Sequence, residues 1–189
     1  METKNSVSIL VLLPLILYLP ACAQNNPYYG SNKDSIQQNV IDIRSIDIQG
    51  VKILDKIDKA IAALGKPDSK SVDIDEVNGE RYTTLYYGNS NKSFLDFHHS
   101  PELGVVLIDF SLSNSQYEVT IDKKKYRVGD NVNLIKSTFS KSYSDYVNNE
   151  DPYKSLRIIV FKDGKRMGLE ILFVLRENKI YSISTRYDE

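Results

Sequence analysis

From Val40 onward the apolar positions fall into short alternating runs, interrupted twice by a helical period. Val40–Ile48 alternates apolar and polar residues, the pattern of a strand with one buried face. Gly50 interrupts it, and Val51 and Ile53 continue in extended form. Ile57, Ala60, Ile61 and Leu64 then fall at i, i+3, i+4 and i+7, which predicts an amphipathic helix with Asp55 as N-cap. Gly65 suits the position after the helix, and Pro67 prevents continuation. Val72–Val77 and Glu80–Tyr87 flank Asn78-Gly79, a two-residue hairpin signal. After a Gly88–Asn91 turn come strands at Lys92–His98 and Val105–Leu112, separated by a loop at His99–Gly104. Tyr117–Val128 is extended, with an interruption at Lys123-Lys124-Lys125.

Gly129-Asp130 opens a second helix with a narrower stripe, Val132, Ile135 and Phe139. Ser144–Lys154 is polar and reads as loop. Leu156–Phe161 and Met167–Leu175 flank Lys162-Asp163-Gly164-Lys165, another hairpin signal, and Lys179–Tyr187 is the last strand. A shift of 75 positions overlays much of one half on the other: Asp55 meets Asp130, Ile57 meets Val132, Leu64 meets Phe139 and Leu85 meets Val160. The expected architecture is therefore α+β, in two tandem units over 40–117 and 118–189. Each unit would pack one or two helices on a three- to four-stranded antiparallel sheet.

The first 39 residues follow another pattern. Lys4 precedes a 13-residue apolar run, Val7–Leu19, too short to span a membrane comfortably and right for a signal segment. Leu19-Pro20-Ala21-Cys22 resembles a bacterial lipobox, with Pro20 an unusual residue at its position. This predicts a signal peptide over 1–21, lipid on Cys22 and a flexible tether over 22–39. Such a protein would be anchored to a bacterial envelope membrane, facing the periplasm. The alternative is cleavage after Ala23, leaving a soluble secreted protein. Cys22 is the only cysteine, so no intrachain disulfide can form.

Composition removes some functions. With 24 basic and 25 acidic residues, and no basic stripe, a nucleic-acid partner is not indicated. His98 and His99 are the only histidines, and adjacent strand positions point to opposite faces, so they do not form a ligand pair. Asp73-x-Asp75 with Asn78-Gly79 departs from a calcium loop at Val77 and in the place of its glycine. Asp42, Asp47 and Asp109 give no sign of converging. No catalytic residue, metal or cofactor is assigned.

Leu64-Gly65-Lys66-Pro67, followed by Tyr86-Tyr87 and the aromatic strand Phe94-Leu95-Asp96-Phe97, resembles the SmpA/BamE outer-membrane lipoproteins. Their fold is shared with the tandem β-lactamase inhibitor protein. The resemblance covers residues 50–187 as a pattern and rests on short motifs; the inhibitor's disulfides are absent here. It implies a non-catalytic module of assembly, inhibitor or immunity type that binds another protein through an open sheet face. The alternation agrees: with Thr83, Leu85, Ser93, Leu95, Phe97, Val106, Ile108 and Phe110 turned to the helix, Tyr82, Tyr86, Phe94 and His98 face away. In the second half, Arg157, Ile159 and Phe161 would lie opposite Leu156, Ile158 and Val160. Tyr82, Tyr86, Phe94, His98, Arg157 and Phe161 are thus the candidate partner-binding residues. An envelope hydrolase with converging carboxylates, or a small-ligand carrier with an apolar pocket, is the alternative.

Overall fold

The computed structural model describes residues 39–76, 79–88 and 93–187. The expected signal peptide, Cys22 and all of the expected tether before Asn39 lie outside the described residues, as does Asn78 of the first hairpin signal.

The Val40–Ile48 run is not one strand. Asp42 accepts hydrogen bonds from Arg44 N and Nε, and Ser45 Oγ donates to Asp42 O, closing a short 3-10 turn over Ile43–Ser45. The turn separates β1 (Asn39–Asp42) from β2 (Ile46–Ile48) and sends them to different sheets. β3 (Val51–Lys52) and helix α1 (Ile57–Leu64) follow, then β4 (Ser69–Ile74), β5 (Arg81–Tyr87), β6 (Ser93–Ser100) and β7 (Gly104–Leu112). The second half runs β8 (Glu118–Ile121), β9 (Lys124–Arg127), α2 (Asn133–Thr138), α3 (Ser140–Asn148), β10 (Leu156–Lys162), β11 (Lys165–Arg176) and β12 (Lys179–Tyr187).

Two tandem helix-on-sheet units do not form. One eight-stranded sheet runs β1-β10-β11-β12-β7-β6-β5-β4, antiparallel except for the parallel β1–β10 pair. A four-stranded antiparallel sheet runs β3-β2-β8-β9. Each sheet takes strands from both halves: Ile183 pairs with Leu112, Ser184 with Ser111, and Ile46 with Ile121. The physical reason is the edge. A separate unit would leave β7 and β2 with unpaired amides, and joining the halves removes those edges.

The core lies between the two sheets. One apolar cluster draws Ile46, Val119 and Tyr126 from the small sheet, Leu95, Phe97 and Phe173 from the large one, and Ala60 and Ile135 from the helices. The small sheet and the helices therefore cover one face of the large sheet. Each fully buried Leu or Phe there stabilises by about 1.5–3 kcal/mol.

A hydrogen-bonded turn recurs 75 positions apart. Lys52 N donates to Asp55 Oδ2 at 2.6 Å, and Arg127 N to Asp130 Oδ2 at 2.7 Å. Leu54 N donates to Leu107 O and Leu107 N to Asp55 O; Gly129 N donates to Ile180 O and Ile180 N to Asp130 O. Each turn thus clips a hairpin to a strand of the large sheet. Because its carboxylate is turned back on Lys52 N, Asp55 does not cap α1; Lys56 is the cap residue, without a side-chain bond. Asp55→Ala and Asp130→Ala are each expected to lower the unfolding free energy by about 1–2 kcal/mol. Urea midpoints unchanged in both variants would show that the clips carry no stability.

Other local expectations change. Ile61 is 38% exposed, so the α1 stripe is narrower than its spacing suggests. Gly65 does end α1, at φ +86°, a conformation costly for other residues. β4 and β5 pair from Ile74–Arg81 onward, so Asp75–Glu80 is a six-residue connection, closed by Asp75 N to Glu80 O and Gly79 N to Asp75 O. Ser140–Asn148, expected to be mostly loop, is α3, with Ser142 bonded to Asn39 through Asn39 N to Ser142 Oγ and Ser142 N to Asn39 Oδ1.

Candidate functional site

The face of the large sheet turned away from the core cluster is built by alternation. On β5, Thr83, Leu85 and Tyr87 are buried, while Tyr82 and Tyr86 are half-buried on the other side. On β6, Leu95 and Phe97 are buried and Phe94, Asp96 and His98 are half-buried. Register places Tyr82 opposite His98, Thr84 opposite Asp96, and Tyr86 opposite Phe94. The Tyr82 and His98 rings lie 6.1 Å apart, tilted by 31°, and Tyr86 meets Phe94 edge-on at 6.5 Å. Such cross-strand pairs order the side chains of the face before any partner arrives.

A bulge in β7 sets the next column. Asp109 pairs with Asp96 and Leu107 with Phe97, leaving Ile108 as the extra residue. Leu107 and Phe110 therefore join the core cluster, and Val106 and Ile108 do not, contrary to the simple alternation. The same pairing sets Asp109 beside Asp96, so two carboxyl-bearing residues are cross-strand neighbours, a convergence not visible in the spacing along the chain. Ser111 continues the row to Ser184, Leu172 and Arg157.

Four of the six expected surface residues, Tyr82, Tyr86, Phe94 and His98, are thus neighbours. Arg157 shares their face but lies four strands from Phe94, roughly 19 Å at ordinary strand spacing. Phe161 is not a surface residue: it is 4% exposed, and Ile159 is 3% exposed. A bulge between Ile159 and Phe161 breaks the alternation on β10, and Phe161 sits in register between Asp42 on β1 and Arg166 on β11.

At the β4 end the face opens into a cleft of about 580 Å³. It is lined by Asp73, Ile74, Asp75, Glu76, Tyr82, Asp96 and His98, with Asp73, Tyr82 and His98 in one cross-strand row. Asp96 Oδ1 is buried with no hydrogen-bond partner. Burial pushes the Asp96 carboxyl up from its ordinary range, against the bond from Thr84. Asp109 is pushed up to about 6, first by burial, while Thr185 Oγ1 and Phe110 N, which donate to its Oδ1, hold it down and Asp96 raises it. Burial, then the carboxylates of Asp73, Asp96 and Asp75, raises the Tyr82 phenol. His98 Nδ1 lies 3.7 Å from Glu80 Oε2. His99, pointing to the opposite side, meets Thr83 Oγ1 at 3.1 Å.

Comparison with protein-family models, curated proteins and solved structures finds no match. The site must be read from its own chemistry. That chemistry is uneven across the face. The β4–β7 part is acidic and aromatic, whereas on β11 and β12 Arg166 and Arg186 flank the buried Glu170, each at 3.4 Å. The sequence reasoning missed Asp73, Asp96 and Asp109 as members of the site. Their signal was an aspartate at an outward position on each of three strands, which register alone converts into proximity.

Proposed function

We propose that the open face of the eight-stranded sheet is a docking surface for another protein, and that the chain is a non-catalytic binding module of the bacterial cell envelope. The observation that carries this reading is the block of Tyr82, Tyr86, Phe94 and His98. These are adjacent, half-buried and pre-ordered in pairs on the face of the large sheet turned away from the core cluster. Aromatic side chains held in this way lose little entropy on binding, and they dominate interface energetics. The lipobox-like Cys22 and the motifs resembling SmpA/BamE lipoproteins favour an envelope location with lipid as the anchor.

The paired carboxylates of Asp96 and Asp109 favour a second reading, an envelope hydrolase. Against it, Asp109 is engaged by Thr185 and the Phe110 amide and does not line the cleft. Only one carboxylate of the pair thus meets a substrate-sized space, and two-carboxylate hydrolysis needs both at the scissile bond.

Benzoylphenylalanine placed at position 94 in cells tests the docking reading. Irradiation is expected to give one defined adduct in the membrane fraction, and none from position 153, whose tyrosine is 92% exposed elsewhere on the surface. Cys22→Ala is expected to move that adduct to the soluble fraction. Equal adducts from both positions, or none from 94, would contradict docking; an adduct that stays in the membrane despite Cys22→Ala would contradict the lipid anchor.

A further inference from the structure

The docking face ends at β4, an edge strand of the large sheet. It holds six consecutive pairs with β5, with no bulge and no proline, and has no strand on its outer side among the described residues. Nearly all of it is exposed, including Val72 at 51% and Ile74 at 60%. A regular, exposed edge offers its amides and carbonyls to an incoming strand.

The cleft beside this edge adds a charge requirement. Its lining contains Asp73, Asp75, Glu76 and Asp96, and no lysine or arginine. Ser71 Oγ and Asp96 Oδ1, in the same cross-strand row of the open face, are both buried without a hydrogen-bond partner. The carboxylates are too spread for a small hard cation, since among the described residues no three His, Cys, Asp or Glu side chains gather as a ligand set. A basic side chain fits better. Its stem can lie on Tyr82, and its donors can reach carboxylates on neighbouring strands.

We propose that an extended segment of a partner protein, bearing arginine or lysine, adds to the sheet along β4 and places a basic side chain in the cleft beside Asp73, Tyr82 and Asp96. The proposal rests on the docking reading and specifies its partner. Side chains alternate along such a segment, so every second residue would point to the face that carries Ser71 and Asp73. Arginine would bind more tightly than lysine, because its planar fork can meet two carboxylates at once.

The test uses the full chain and a fluorescent, blocked hexapeptide that alternates arginine and threonine, with the citrulline-for-arginine peptide as its neutral counterpart. The arginine peptide is expected to saturate, with the citrulline peptide at least tenfold weaker. Hydrogen exchange should slow at the β4 amides. Asp73→Asn with Asp96→Asn should weaken the arginine peptide at least tenfold, and Ser113→Ala, off the cleft, should leave it unchanged. Equal binding of the two peptides, no binding of either, or full binding by the double variant with an unchanged melting temperature would overturn the proposal. Binding without slowed exchange in β4 would overturn the edge pairing. A photoadduct from position 94 that persists when the peptide fails would leave the docking reading standing and remove only the basic-strand partner.

Discussion

Asp109→Asn is expected to stabilise the protein by about 3 kcal/mol near pH 7.5 and by well under 1 kcal/mol near pH 4. The Asp109 carboxyl is raised from its ordinary 3.8 to about 6, chiefly by burial. It is faced by Asp96 across the strand pair, by His98 on β6, and by Thr185 and Tyr187 on β12, where burial and the Asp109 charge push the Tyr187 phenol up to about 12. A carboxyl raised in the folded state favours its neutral form there. Ionisation above the unfolded value therefore costs stability, and the cost grows from about pH 4 to about pH 6 before levelling off. Each pKa unit is about 1.4 kcal/mol, which gives the figure of about 3. Asparagine keeps the Oδ1 acceptor for Thr185 Oγ1 and Phe110 N and removes the charge. Urea unfolding of both proteins across this range is the measurement. A variant that is less stable at pH 7.5 would mean that the carboxylate is well solvated or paired, and would remove the electrostatic description of the face.

Phe173→Ala is expected to lower the unfolding free energy by about 3–5 kcal/mol. Phe173 is completely buried on β11, and its ring meets Tyr126 edge-on at 5.5 Å. Tyr126 belongs to β9 in the small sheet and also meets Phe139, between α2 and α3, at 5.8 Å. Truncation loses the transferred apolar surface and leaves a cavity that three separate elements would have to close. The loss should also travel. Because β7 pairs with β12 and β2 with β8, hydrogen exchange at Thr83 and Leu85 on β5 should accelerate together with that at Ile171 on β11. Faster exchange confined to β8–β12 would show that the halves unfold independently and that the shared sheets do not couple them.

Local pattern carried the strands well and their partners poorly. Alternation located β5, β6 and β10–β12 and grouped Tyr82, Tyr86, Phe94 and His98 on one face, because side-chain direction is a property of consecutive residues. Which edges join is not. The β7–β12 junction rests on Leu112 and Ser111 meeting Ile183 and Ser184, more than 70 residues away. The parallel approach of β1 to β10 likewise has no local signature. The β8–β9 turn looks like a mere interruption in the pattern because Asp122 and Lys123 hold φ of +50° and +70° without a glycine to announce it. α3 was hidden by its polarity: its one fully buried residue is Ser142. Bulges did the rest. The shift between Ile159 and Phe161 and the extra Ile108 break the alternation, so Phe161 loses its expected exposure and Ile108 its expected core placement. The paired aspartates depended on that register, so composition alone could not join them.

Occupancy of the open face is tested most directly by hydroxyl-radical labelling of the protein in intact cells and after purification. Docking predicts that Tyr82, Tyr86 and Phe94 are labelled several-fold less in cells than in the purified protein, with Tyr153 labelled equally in both. Equal labelling of all four residues in the two samples would show that nothing covers the face, and would contradict its role as a binding surface.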